Sequence, residues 1–453
     1  MPVTVIVGAQ WGDEGKGKVT DFLATQADIV SRFQGGNNAG HTVIVNGVTH
    51  KLHLLPSGVV NPAVKNVLGN GLVVDPKVLL QELASLADKG LVPQLFISDR
   101  AQVILPIHRW LDGAAEDSGG GIGTTRRGIG PTYTDKVQRS GVRIGDLLDP
   151  RRLRERLHDM LPEHLLVLRH RGSHIPASDY EALAAADLSA LIADPTPLVE
   201  AMAEEYLAYG AQLRERIVDT VALLHDGLNH NATIVLEGAQ GTFLDIDHGT
   251  YPFVTSSNTI SGGACIGAGV PPTMIDSVCG IVKAYTTRVG SGPFVTELDY
   301  DTDAGGKHLT DAGHEFGTTT GRRRRCGWLD LVLLRRAVEL NGMTTIALTK
   351  LDVLGGLSEI KVCVAYELDG TRLTRMPSDA ADLARCVPVY ESLPGFEKLS
   401  KATVVHASEQ GLSALPKAAA DYVRYIEQHL EVPIELIGLG PGREETIDRR
   451  KTG

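Results

Sequence analysis

The chain opens on a short β-branched run at residues 3–7, which stops at Gly8 and passes into a loop over 9–18. A helix-period segment follows at 19–24. A strand, a glycine-rich loop and a helix in this order aim backbone N–H groups and the positive end of a helix at one spot, which suits a phosphate. The loop Gln10-Trp11-Gly12-Asp13-Glu14-Gly15-Lys16-Gly17-Lys18 supplies three glycines and two lysines. It departs from GxxxxGK[ST], because Gly17 stands where a metal-binding hydroxyl would follow Lys16. Asp13 is then the candidate for the missing metal oxygen, or for a base.

Similar punctuation recurs downstream. Asp75-Pro76 predicts a helix start, with Asp as N-cap and Pro at the first helical position, and Gly90 predicts its end after Lys89. Buried strands are predicted at 233–236, 277–284, 345–348 and 434–437, with a helix at 330–340 leading into the third. Residues 151–230, rich in Leu, Ala, Glu and Arg, carry helix-period apolar positions and are predicted mostly helical. Strand–helix alternation of this kind predicts an α/β fold. Its centre would be a large, mostly parallel sheet covered by helices on both faces, related to P-loop-type nucleotide-binding folds, with helical insertions. No repeat, low-complexity tract or linker-like run divides the chain. The expectation is one domain over 1–453, with 151–230 as a helical subregion.

Charge and cysteines narrow the function class. There are 55 acidic against 44 basic residues, a net charge of −11, which argues against a general nucleic-acid binder. Cys265, Cys279, Cys326, Cys363 and Cys386 are odd in number and widely spaced, so reduced thiols fit better than a disulfide framework or zinc knuckle. No apolar run approaches the ~20 residues of a membrane helix, and residues 1–7 lack a signal pattern. A soluble, cytoplasmic protein is expected.

Three further clusters carry chemistry. Gln34-Gly35-Gly36-Asn37-Asn38-Ala39-Gly40-His41-Thr42 is a glycine loop of polar amides ending in a histidine able to donate to a developing oxyanion. Thr349-Lys350-Leu351-Asp352 follows a predicted strand. A carboxylate there accepts from both the ring N–H and the exocyclic amine of guanine, whereas adenine offers the wrong pattern. Thr318-Thr319-Thr320-Gly321, followed by Arg322, Arg323, Arg324 and Arg325, offers hydroxyls and guanidinium forks to a dicarboxylate. Each has a plain structural counterpart: a glycine turn, a strand-end turn and a solvated basic run.

WGDEGKGK at 11–18 and NAGHT at 38–42 resemble the two signature loops of the adenylosuccinate synthetase family. The similarity continues through IGTT at 122–125, RGIGP at 127–131, EGAQGT at 237–242 and DIDHGTYPFVTSSNT at 245–259. It extends to KAYTTRVGSGPF at 283–294, TTGRRRRCGWLD at 319–330 and LTKLDVL at 348–354, in the family's order and over nearly the whole chain. The resemblance implies a GTP-consuming ligase that joins L-aspartate to IMP. Because an amine cannot displace oxide, GTP first phosphorylates O6 of IMP; the aspartate amine then attacks C6 and expels phosphate.

By the same resemblance, Asp13 takes the N1 proton of IMP, His41 donates to the transferring phosphoryl, Lys16 adds positive charge there, and Gln240 holds the purine edge. One magnesium ion would lie between Asp13 and the Gly40 carbonyl. GTP contacts are implied at Gly12, Asp13, Glu14, Gly15, Lys16, Gly17, Lys18, Gly40, His41, Thr42, Arg324, Lys350, Leu351, Asp352, Gly438, Leu439 and Gly440. IMP contacts are implied at Asp13, Lys16, Asn38, Ala39, Gly40, His41, Thr125, Gln240, Thr255 and Arg322, with Arg139 reaching the partner subunit's IMP site in a homodimer. Aspartate capture falls to Thr318, Thr319, Thr320, Gly321, Arg322, Arg323 and Arg324.

The chain departs from the family pattern at four places. Gly438 and Leu439 replace residues with side-chain hydroxyls, so base contacts there would use the backbone. Arg126 stands where Gly is frequent, and Asn37 where His is frequent. A regulatory GTPase would share the phosphate loop and TKLD, but leaves EGAQGT, the arginine run and His41 unexplained. Retention of Asp13, Lys16, His41 and Gln240 opposes a scaffold that has lost activity.

Overall fold

The computed structural model describes residues 3–452 except 39, 46–47, 119–122 and 317–322; at 41–45, 48–49 and 451–452 it describes the backbone alone. A sheet of ten strands runs through the molecule. In chain order these are β1 (Val3–Gly8), β2 (Ile29–Arg32), β3 (Lys65–Leu68), β4 (Gln94–Ser98) and β5 (Ile217–Val218), then β6 (Ile234–Glu237), β7 (Ser277–Lys283), β8 (Thr345–Thr349), β9 (Ile434–Gly438) and β10 (Thr446–Asp448). Across the sheet the order is β10-β9-β8-β7-β1-β6-β2-β3-β4-β5. All pairings are parallel except β9 with β10. The predicted strands at 3–7, 233–236, 277–284, 345–348 and 434–437 are all present, within a residue or two.

β1 lies in the middle, with Val5 level with Leu236 of β6 and Val278 of β7. Val3, Val5 and Val7 enter one apolar cluster, together with Leu331–Asn341 and Lys417–Leu430, helices that cover that face. Ile6 enters another, with Val19 and Ala24 of α1 (Lys16–Ala24) on the opposite face. A parallel strand covered on both sides has no polar face to show, which is why it reads as an unbroken β-branched run.

The helical stretch supplies α5 (Pro150–His170) and α7 (Thr196–Leu213), separated by the short α6 (Leu188–Ala193). Their apolar stripes pack with Leu95 and Ile97 of β4 and with Trp110 of α3 (Pro106–Asp117). The region is not helical throughout: at Ile217–Val218 it pairs with β4 and forms one edge of the sheet, before α8 (Thr220–Asn229). Two residues are too short to carry a period-2 signal, so β5 is invisible in sequence. A second, antiparallel pairing of Glu359–Leu368 with Val387–Pro394 also lies outside the predicted elements. All five cysteines are unpaired. Among the described residues no helix is long and apolar enough to cross a membrane.

α2 (Pro76–Ala87) begins as its sequence predicts. Asp75 Oδ1 accepts from the N–H of Lys77 (3.1 Å) and Val78 (3.2 Å), while Oδ2 takes Arg109 Nη1 at 3.0 Å, all with Asp75 buried. Asp75→Ala removes the cap and the nearer of the two carboxylates on Arg109, so it should destabilise the protein by about 2 kcal/mol, with Asp75→Asn losing less. Denaturation midpoints of the two variants check this ordering.

Candidate active site

Six adjacent strands, β9, β8, β7, β1, β6 and β2, deliver the motifs of the sequence at their carboxyl ends. In an open parallel sheet that edge is where the crossover loops leave a crevice for ligand. From β1 comes the loop 9–15; from β2, residues 33–40; from β6, Gly238 to Gln240; from β8, Lys350 to Asp352; from β9, Leu439 and Gly440. β7 ends on Lys283.

The β1 loop is held from within by Glu14, which is buried. Its Oε1 accepts from the N–H of Gln10 (2.9 Å) and Gly12 (2.8 Å), and its Oε2 takes Lys16 Nζ at 2.7 Å. Lys16 also donates to the Gly12 carbonyl at 2.8 Å, so its ammonium is folded back on the loop. Gly12 has φ +100°, and a Cβ there would lie 3.0 Å from the Gln240 backbone. Gly15, at φ +86°, precedes α1, whose first turn carries neither an acidic residue nor a side-chain cap. Those N–H groups and the helix dipole are left for an anion.

Asp13, next to this tie, has no such bonding. Its Oδ2 is buried and, among the described residues, makes no hydrogen bond. Arg324 Nε stands 2.5 Å from it and Lys283 Nζ 3.9 Å, charge against charge without hydrogen-bond alignment. Behind these cations lies Glu315, fully buried: Lys283 Nζ and Arg324 Nη1 each lie at 3.0 Å, Lys350 Nζ at 3.5 Å, and the Tyr285 hydroxyl donates to Oε1. Burial alone would raise the Glu315 pKa, but Lys283, Lys350, the Tyr285 hydroxyl and Arg324 outweigh it and bring it to about 2. Sequence reading missed Glu315 and gave Lys283 no role; KAYTTRVG at 283–290 was the available signal for the lysine.

Gln240 occupies the left-handed region, φ +56°. Its amide is oriented by two others: Oε1 accepts from Gln34 Nε2 at 3.2 Å, and Nε2 donates to Asn38 Oδ1 at 3.1 Å. Asn38 Oδ1 also accepts from Gly36 N–H at 3.2 Å, and Arg127 donates to the Asn37 carbonyl. Tyr133, on α4 (Ile129–Gln138), takes Gly35 N–H at 3.0 Å and donates to the Gly71 carbonyl at 2.8 Å. The structure thus joins Asn38 and Gln240 in one network.

At the other end, Thr349 Oγ1 donates to the Glu14 carbonyl, locking β8 to the β1 loop. Asp352 Oδ1 is buried without a partner, and burial raises the carboxyl's pKa. Lys18 Nζ donates to the carbonyls of Gly440 (2.5 Å) and Glu445 (3.2 Å), so α1 and the loop after β9 are one piece. Asp21 of α1 adds a two-pronged pair with Arg443. Leu439 turns its side chain into the core, leaving the backbone as the surface of that loop.

The remaining predicted residues take no part in these contacts. Thr125 is exposed, and Thr255 is half-buried with its N–H on the Leu244 carbonyl. Arg126 has φ +55°, a region that glycine occupies without strain, and pairs with Asp117 at 2.7 Å. Arg139 ends α4 on a cavity of about 520 Å³ that also takes in Arg100, Lys136, Arg143, Arg152 and Arg156, but nothing from the phosphate loop. Arg323 stacks on Tyr300 at 4.2 Å, and Arg325 pairs with Glu297. Ala39, Thr318, Thr319, Thr320, Gly321 and Arg322 lie outside the described residues, as do the side chains of His41 and Thr42.

One buried group looks like a metal centre and is not suited to be one. His108 and His164 both place Nε2 on Asp135 Oδ2, at 2.8 and 2.9 Å. His108 Nδ1 accepts the Leu105 N–H at 3.0 Å, so its proton sits on Nε2, where a metal would need a lone pair. The trio pins α3, α4 and α5 together.

A sequence profile described as adenylosuccinate synthetase matches residues 5–447. The chain belongs to the adenylosuccinate synthetase family. It is a GTP-using ligase of purine biosynthesis that joins IMP and aspartate. The adenylosuccinate synthetase of Thermosynechococcus vestitus is 50% identical over 450 residues, covering 99% of this chain and 94% of that protein. That of Synechococcus sp. strain RCC307 is also 50% identical, over 99% of this chain and 96% of its own. Among solved structures, the fully ligated adenylosuccinate synthetase from Plasmodium falciparum superposes with a TM-score of 0.86 at 38% identity, covering 99% of this chain and all of the other. Against this family background, Gly12→Ala tests whether the loop geometry serves the reaction. A methyl at φ +100° against the Gln240 backbone should reduce GTP-dependent adenylosuccinate formation by about tenfold or more, because backbone strain there is of order 1–3 kcal/mol.

Proposed function

We propose that Asp13 is the base of the reaction: it removes the N1 proton of IMP while O6 takes the γ-phosphoryl of GTP. The observation that carries this reading is its buried Oδ2, free of hydrogen bonds yet flanked by Lys283 and Arg324, beside a helix N-terminus open to phosphate. Phosphoryl transfer asks a protein for positioning and positive charge rather than covalent chemistry. Lys16 serves the transferring group by exchanging Glu14 and Gly12 for phosphate oxygens, and His41 donates from the facing loop. Gln240, fixed by Gln34 and Asn38, reads the purine edge, with Thr125 and Thr255 as further IMP contacts. Arg322 and Arg323, with the threonines at 318–320, take the aspartate carboxylates.

Magnesium fits the same place. With Oδ2 given to the N1 proton, Asp13 would hold the ion through its other carboxylate oxygen, and no described residue comes within 4 Å of where a Cβ on Gly40 would sit. When bound, the ion neutralises phosphate oxygens. Arg324, held on Glu315 through Nη1, would then offer its Nε to the nucleotide in place of Asp13.

Guanine selection rests on Asp352, whose unpartnered buried oxygen suits the paired donors of guanine. Lys350, Leu351, Gly438, Leu439 and Gly440 frame the base mainly through backbone. We further infer a cytoplasmic homodimer in which the exposed Arg139 reaches the partner subunit's IMP phosphate. Residues 1–453 act as one unit, because the helical region contributes β5 to the sheet.

The decisive test is steady-state phosphate release. It should require GTP, IMP and aspartate together, and should vanish in Asp13→Asn while GDP binding persists; release without IMP would favour a GTPase switch. Asp352→Asn should weaken GTP relative to other triphosphates, as competition kinetics would reveal. pH supplies a third check. Burial lowers the pKa of Lys18 to about 8, despite Glu445, Asp352 and Glu444. Above that pH the free protein holds it neutral, and binding a polyanion must draw a proton. GDP affinity should therefore fall as pH rises from 8, by up to about tenfold per unit, and calorimetry on Lys18→Met should show this slope flattened.

A further inference from the structure

The reading of Asp13 leaves one buried carboxylate without a part. Glu315 is 0% exposed, and a lone buried carboxylate is stable only when paired and hydrogen-bonded. Its partners come from three separated segments: Lys283 from the end of β7, Arg324, and Lys350 after β8. Backbone joins them too, since Arg324 N–H donates to the Glu315 carbonyl at 2.9 Å.

Here three cations share one carboxylate, and adding Asp13 still leaves three positive charges against two negative. That surplus faces the loop expected to hold phosphates. Two of the cations touch both carboxylates: Lys283 Nζ is 3.0 Å from Glu315 and 3.9 Å from Asp13, and Arg324 bridges the same pair at 3.0 and 2.5 Å. Lys283 Nζ is further fixed by Thr287 Oγ1 at 2.7 Å. Glu315 therefore sets where positive charge stands relative to Asp13 without itself reaching the crevice.

We propose that Glu315 is a positioning residue for phosphoryl transfer, acting through Lys283 and Arg324 rather than by touching substrate. The proposal rests on the functional reading above. Removing its charge frees the two side chains to swing out, and a misplacement of about 1 Å in such a group lowers turnover by about a hundredfold.

The test compares wild type, Glu315→Gln, Lys283→Met and the double variant, with active protein counted by GDP binding. Wild type must first show phosphate release dependent on IMP and aspartate; its failure would sink the functional reading, not this one. Given that control, Glu315→Gln should lose about a hundredfold in kcat, with KM for GTP and IMP near wild type. The double variant should be no slower than the worse single one, because both changes remove the same placement. Wild-type kcat per GDP site with only a lower melting midpoint would make Glu315 purely structural and overturn the proposal, as would additive losses in the double variant. If Glu315→Gln does not fold, Glu315→Asp decides. It keeps the charge but withdraws it by one methylene, and should lower kcat at least tenfold; unchanged kcat would again overturn the idea.

Discussion

Burial of β1 on both faces dictates where its carboxyl end must be, and the site is assembled from that point outward. Val3, Val5 and Val7 commit one side and Ile6 the other. A slip of one residue would therefore exchange the two sets, and the flanking registers with Leu236 and Val278 leave no such freedom. Because β6 and β7 run parallel to β1, their ends stop at the same edge of the sheet. Gln240, Lys283 and the β1 loop become neighbours although both side chains lie more than 200 positions after that loop in the chain.

At that edge, acidic groups fall into two kinds. Glu14 and Glu315 are buried and saturated with donors, so they act as fixed counter-charges that shape a loop and a set of cations. Asp13 and Asp352 each keep a buried oxygen with no hydrogen bond. Native proteins seldom leave such atoms unpaired. The contrast separates carboxylates already saturated with donors from carboxylates that still have an oxygen able to accept.

Much of this was legible in sequence, for physical reasons. Doubly covered strands spell continuous apolar runs, Asp75-Pro76 spells a capped helix start, and glycines mark the loop that only positive φ can close. The family likeness of WGDEGKGK, NAGHT and TTGRRRR located the loops themselves. Glu315 was not legible, because its partners stand 32 residues before it, at Lys283, and 9 after it, at Arg324. Locally it looks like any carboxylate between a histidine and a phenylalanine. β5 was hidden by its brevity, and the inward turn of Glu14 and Lys16 by the fact that a charged loop reads the same whether it faces itself or a ligand.

The two margins of the large sheet are both short. One is β5, only two residues long, and the other is β10, three residues laid antiparallel on β9. An unpaired strand margin invites any extended peptide to add itself, and the invitation grows with length and flatness. Stubs this short offer few backbone groups to a newcomer. A ten-stranded sheet is thereby ended by truncation at both margins.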